Sequence, residues 1–179
     1  MAVLVAYASA FGSTREIAER IAARVGRAED DVECRQVDDI EAASGYKAVI
    51  LGSAIHNQEW LPAAMSFVRR AAPQVGDTPV WAFSVGMADG LPKLLRHRAK
   101  ALQEQRLAEA LQSEMPLRDH ELFSGVYQAS QMPPLLRGLF RLTGGKFGDL
   151  RDWEAVDAWA DQIIAQLPTP PSPDSPVEA

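Results

Sequence analysis

One cysteine, Cys34, and three histidines, His56, His97 and His120, are spread over 179 residues. A lone thiol makes no intrachain disulfide and no CxxC pair. Histidines this scattered give no ligand spacing, so no metal site is expected. Positive charge is also short: 18 Lys and Arg against 24 Asp and Glu leave a net charge of −6. Nonspecific nucleic-acid binding draws on a cationic excess that neutralises phosphates, so no nucleic-acid partner is expected. No apolar stretch reaches the roughly 20 residues that a membrane-spanning helix needs. The opening MAVLVAYASAFG lacks a basic start, and its apolar run is short for a signal peptide. The expected compartment is therefore the cytoplasm. Neither GxGxxG nor GxxxxGK[ST] occurs.

What is present is apolar in large part: 47% of the residues, enough for a sizeable core. The length suits a single domain over residues 1–167. The remainder, Pro168 to Ala179, reads PTPPSPDSPVEA, has no apolar anchor and is expected to be disordered. Short apolar runs predict strands at Val3 to Ala8, Ala48 to Gly52 and Pro79 to Val85, with weaker candidates at Val32 to Val37 and Leu122 to Tyr127. Between them lie helical patterns. Ile17, Ile21 and Val25 recur within Arg15 to Val25; Pro62 opens a second helix carrying Met65, Phe67 and Val68; Leu94 to Leu111 is a third. Trp153, Val156, Trp159, Ile163 and Leu167 form the stripe of a closing helix. Five strands alternating with about five helices predict an α/β fold: a doubly wound, parallel sheet with helices on both faces.

The first strand is joined to the first helix by Ser9-Ala10-Phe11-Gly12-Ser13-Thr14. Ligands of open α/β sheets bind beyond the carboxyl ends of the strands, and this loop lies there. Backbone N–H groups at a helix start favour an anion. Gly12 permits a tight turn, and Ser9, Ser13 and Thr14 can donate hydroxyl hydrogen bonds. A phosphate monoester held by neutral donors fits this loop; helix capping by Ser13 or Thr14 is the competing reading.

SAFGST is similar to the [ST]-x-T-G-x-T phosphate loop of flavodoxins, with Phe11 in place of the middle threonine. YASAFGSTREIAERIA, YKAVILGSAIHNQEWLPAAMSFVRR, PVWAFSVGM and FRLTGGKFGDLRDWEAVDAWA resemble a flavodoxin-like branch that contains the menaquinone-dependent protoporphyrinogen dehydrogenases. The resemblance runs from about Val3 to Ile164 and implies a flavodoxin-like sheet in the order 2-1-3-4-5. It also implies FMN as cofactor, its phosphate at residues 9–14, and a porphyrinogen substrate passing electrons to a quinone.

A flavin needs its ring edge hydrogen-bonded and its faces covered. The loop Ser53-Ala54-Ile55-His56-Asn57-Gln58-Glu59-Trp60 follows the central strand and is placed to do this through its backbone and Asn57. Ile55, His56 or Trp60 are candidates to cover a face, with a helix-start contact the alternative for Trp60. His56 is a weak catalytic candidate as proton carrier. A third loop, Ser84-Val85-Gly86-Met87-Ala88-Asp89-Gly90, brings two glycines to a strand end for close backbone approach. Asp89 reads as a turn residue, with a charge beside the flavin as the alternative; Trp81 reads as core.

Met132 to Phe147 crowds Leu135, Leu136, Leu139, Phe140 and Leu142 around Arg137, Arg141 and Lys146. Peripheral contact with the inner face of the cell membrane is one reading of this apolar stretch with basic flanks. Packing on the sheet, or a dimer interface, is the other. The cations are candidates for tetrapyrrole carboxylates. Three functions follow from the sequence: an FMN-dependent oxidoreductase of the protoporphyrinogen dehydrogenase type, an electron carrier docking on redox partner proteins, and a flavodoxin-like binding module that has lost FMN.

Overall fold

A computed structural model of the chain describes residues 1–86, 93–129, 137–138, 141–142 and 147–168. Its elements are β1 (Val3–Ala8), α1 (Ser13–Val25), β2 (Val32–Gln36), β3 (Ala48–His56), β4 (Glu59–Trp60), α2 (Pro62–Val75), β5 (Val80–Gly86), α3 (Lys93–Gln112), β6 (Asp119–Ser124), β7 (Val126–Tyr127), β8 (Gly148–Asp149) and α4 (Trp153–Gln166). A 3-10 turn, Val37–Asp39, ends β2.

The main sheet runs β2-β1-β3-β5-β6, all parallel, with β4 folded antiparallel onto β3. With β4 set aside, this is the five-stranded 2-1-3-4-5 order that the flavodoxin resemblance implies. The central strands β1, β3 and β5 are apolar on both faces because both faces are covered. Leu4, Ala6, Val49, Leu51, Val80 and Ala82 pack under α2 and α3, through Phe67, Val68, Leu107 and Leu111. Val3, Val5, Ile50, Trp81 and Phe83 pack under α1 and α4, through Ile17, Ile21, Val156, Trp159 and Ile163. Successive side chains of a strand point to opposite faces, so each apolar run feeds two cores. Trp81 is core, as its place in a central strand predicts.

Two strand boundaries differ from the sequence expectation, and both bear on the site. β3 does not end at Gly52 but runs to His56, and Asn57 and Gln58 turn it back into β4 with φ of 52° and 68°. Two consecutive positive φ values are the signature of a two-residue hairpin turn that follows the sheet's twist. The stretch Leu122 to Tyr127 is not one strand: β6 ends at Ser124, Gly125 intervenes, and β7 pairs with β8 instead. Gly52 has a packing reason. A Cβ there would lie 2.0 Å from the Phe83 ring, so only glycine lets that ring cross β3. The expected disordered tail lies outside the described residues beyond Pro168.

Candidate functional site

The carboxyl ends of β1, β3, β5 and β6 surround a cleft of about 330 Å³. Ala10, Phe11, Ser13 and Thr14 line it from the first loop, Ala54, Ile55, His56 and Asn57 from the end of β3 and its turn, Val85 and Gly86 from β5, and Gly125, Val126 and Tyr127 from beyond β6. Three segments proposed from the sequence therefore converge. The fourth, Gly125–Tyr127, was hidden inside an apparent strand. Its one signal is Gly125, since glycine inside a strand pattern marks a bulge or close approach. A Cβ on Gly125 would meet Val85 Cγ1 at 2.9 Å and Ser13 Cβ at 3.3 Å.

The start of α1 is the chemical centre of this cleft. Its N-cap is Gly12, at φ 94° and ψ −25°, and no side chain caps the helix. The capping role open to Ser13 or Thr14 is thus absent. Ser9 Oγ accepts from the Gly12 amide at 3.0 Å, and Ser13 Oγ accepts from the Val126 amide at 3.1 Å. Each hydroxyl keeps its own O–H free to donate. Among the described residues, the amides of Ala10, Phe11, Ser13 and Thr14 have no partner. Orphan amides at a helix start, aligned with its dipole, favour an anion. The nearby cations are already engaged: Arg15 faces Glu19 at 3.6 Å, and Arg151 is held by Glu16 and Asp149. The loop offers neutral donors. Phe11 stands at its rim, 76% exposed.

Two predicted flavin contacts have their hydroxyls engaged elsewhere. Ser53 is buried, its Oγ donating to the Ala54 carbonyl at 2.9 Å and accepting from the Leu61 amide at 3.1 Å. Ser84 is 0% exposed, accepting from Trp60 Nε1 at 2.7 Å and bonding His120 Nε2 at 2.8 Å. Neither lines the cleft, because buried hydroxyls are consumed by the nearest unsatisfied groups. Trp60, a candidate to cover the flavin, is 5% exposed and belongs to the core under α2. Burial pushes the His120 imidazole down to about 4, and its Nδ1 has no partner among the described residues. His56 and Asn57 are exposed at the rim. Met87 and Asp89 lie outside the described residues.

Tyr127 closes one side of the cleft. Its ring stacks on Phe147, centroids 5.1 Å apart, and the Arg141 guanidinium sits 5.6 Å from the Phe147 ring. Burial raises the Tyr127 phenol above its usual range. Of the segment 132–147, only residues 137, 138, 141, 142 and 147 are described; Leu142 among them is 85% exposed. No described helix is long and apolar enough to cross a membrane.

A second, larger cleft of about 590 Å³ lies beyond the β3–β4 turn, over Trp60, Met65, Leu107 and Leu111. Its charged rim is largely self-paired. Arg69 bonds Glu114 at 3.0 Å, and Arg106 reaches Gln58 Oε1 at 3.4 Å. Asn57 borders both clefts.

An open parallel sheet of this order, with its cleft at the uncapped start of the first helix, defines a flavodoxin-like α/β protein. A profile described as "Flavodoxin domain" matches residues 4–143, and the chain belongs to that family. None of the curated protein sequences matches it. Solved structures do. Rubredoxin oxygen:oxidoreductase from Desulfovibrio gigas superposes with a TM-score of 0.58 at 19% identity over 92% of this chain. The aligned part is 35% of that protein, so the chain spans about a third of its length. An NADH:FMN oxidoreductase in its apo form gives 0.59 at 15% identity, covering 95% of this chain and 91% of that one. The Fusobacterium nucleatum flavodoxin bound to flavin mononucleotide gives 0.56 at 12% identity, covering 93% and 99%. At these identities the likeness is one of fold.

Proposed function

We propose that the cleft binds FMN and that the chain works as an FMN-dependent oxidoreductase. The observation that carries this reading is the uncapped start of α1, where free amides and the Ser9 and Ser13 hydroxyls meet beside Gly12. The cleft fits the rest of the group. It falls at the small end of the roughly 300–1,000 Å³ of ligand pockets, and apolar walls with few polar groups suit a flat ring system. Ser9, Ser13, Thr14 and the loop amides would hold the phosphate. The backbone of Ala54–Asn57 and Val85–Gly86 would border the ring, and Phe11, Ile55 or Tyr127 would cover it. Bound FMN would supply the redox centre at this cleft. His56, exposed at the rim, is the candidate proton carrier of this reading.

The finer reading is a protoporphyrinogen dehydrogenase type of reaction, with electrons leaving to a quinone at the membrane surface. It is supported by the resemblance of Thr143-Gly144-Gly145 and Asp152-Trp153 to that branch. It is also supported by the Arg141 guanidinium over the Phe147 ring, which stacks on Tyr127 of the cleft. The second reading, an electron carrier docking on redox partner proteins, is favoured by the net charge of −6. The test is direct. Purified protein is reconstituted with FMN, then mixed with porphyrinogen and a menaquinone analogue. Flavin-dependent porphyrin formation supports the enzyme; bound FMN without turnover leaves the carrier. Protein that takes up no FMN returns the chain to a binding module.

A further inference from the structure

Arg151 sits between β8 and the N-cap of α4, and its side chain is only 10% exposed. Its guanidinium spans two carboxylates. Nε and Nη2 donate to Asp149 Oδ1 and Oδ2 at 2.8 and 2.6 Å, and Nη1 donates to Glu16 Oε2. The group lies 4.6 Å from the centre of the Trp153 ring. Glu16 belongs to the first turn of α1, and its amide bonds the Gly12 carbonyl at 3.0 Å. Its second oxygen, Oε1, comes within 4.0 Å of the position a Cβ would take on Gly12. A carboxylate therefore stands beside the loop assigned above to a phosphate, and like charges at such range repel. Among the described residues Arg151 is the one cation paired with Glu16. The triad of Asp149, Arg151 and Glu16 carries one net negative charge with Arg151 and two without it.

We propose that Arg151 is a positioning residue for the phosphate: it offsets Glu16 and pins that carboxylate, and so sets the preference for FMN over riboflavin. The proposal rests on the FMN reading of the cleft. Riboflavin shares the ring and ribityl chain but lacks the phosphate, so it separates charge from shape. In fluorescence titrations at low salt, Arg151→Gln is expected to weaken FMN about five- to tenfold and leave riboflavin nearly unchanged. Raised salt narrows the FMN difference, since partly exposed charges are screened. The double variant Glu16→Gln with Arg151→Gln recovers most of the FMN affinity. Glu16→Gln alone keeps or raises the FMN-to-riboflavin ratio, which serves as the test if Arg151→Gln does not fold. Equal weakening of both ligands, no recovery in the double variant, or a lowered ratio in Glu16→Gln would overturn the proposal. Wild-type protein that binds neither ligand overturns the FMN reading itself, and this inference with it.

Discussion

The two clefts either side of the β3–β4 turn differ in an instructive way. The second is the larger, about 590 against 330 Å³, and has arginines at its rim. Yet those arginines have partners: Arg69 has Glu114, and Arg106 has Gln58. The first is smaller, but it is built from strand ends, and its helix start leaves amides without partners. Volume alone does not make a ligand site. Donors that folding leaves unsatisfied do, because binding then completes hydrogen bonds that the chain cannot make itself. One buried contact ties the two regions together: Trp60, in the wall of the second cleft, donates to Ser84, which adjoins Val85 of the first.

The largest expected effect breaks both clefts at once. Gly52→Ala places a methyl 2.0 Å from the Phe83 ring, within the central strand that leads to the dividing turn. Overpacking of this severity is expected to cost more than about 3 kcal/mol, read as a collapse of the urea midpoint and loss of FMN uptake. Next is acid. His120 stays neutral down to about pH 4 in the fold, whereas the free imidazole protonates near 6.5. The unfolded chain thus binds the extra proton first, and stability falls as pH drops from 6.5 to 4. The loss reaches up to about 3 kcal/mol, and stability is flat for this group above 6.5. Urea midpoints at pH 7, 5.5 and 4.5 check this slope, and His120→Gln is expected to flatten it. A narrower break comes from Gly125→Val, whose side chain meets Val85 and Ser13. It is expected to cost roughly 1–3 kcal/mol and to weaken FMN while leaving the second cleft intact. The smallest effect sharpens the contrast: Arg106→Ala, in the second cleft, shifts stability by less than about 0.5 kcal/mol and leaves the FMN titration unchanged.

The parts of this architecture carried by local pattern were legible in the sequence. Apolar runs of Val3 to Ala8, Ala48 to Gly52 and Pro79 to Val85 are buried strands, and the stripes of Ile17–Ile21–Val25 and Val156–Trp159–Ile163 are the buried helix faces. Position after a strand, plus Gly12, located the first loop. Side-chain partnership was not legible. Ser53 and Ser84 look like ligand donors because they are hydroxyls at strand ends, but their partners, Leu61 and Trp60, are brought in by β4. That hairpin was itself hidden, since Asn57-Gln58 adopts two positive φ values without the glycine that usually advertises them. Tyr127 was missed for a related reason: the switch from β6 to β7 is a change of partner strand, and alternation along one strand does not record it.

The pairing of β7 with β8 has a consequence for how such a chain can vary. Val126 and Tyr127 meet Asp149 and Gly148, and the Leu150 amide reaches back to the Gly125 carbonyl at 3.2 Å. The two ends of the intervening stretch are thereby fastened side by side, like the neck of a purse. Closing a chain at a fixed neck depends only weakly on its length, about 0.6 kcal/mol per doubling for a flexible loop. Between strands fastened at such a neck, proteins of this architecture can differ in chain length at little thermodynamic penalty, which makes the neck a natural place to exchange specificity.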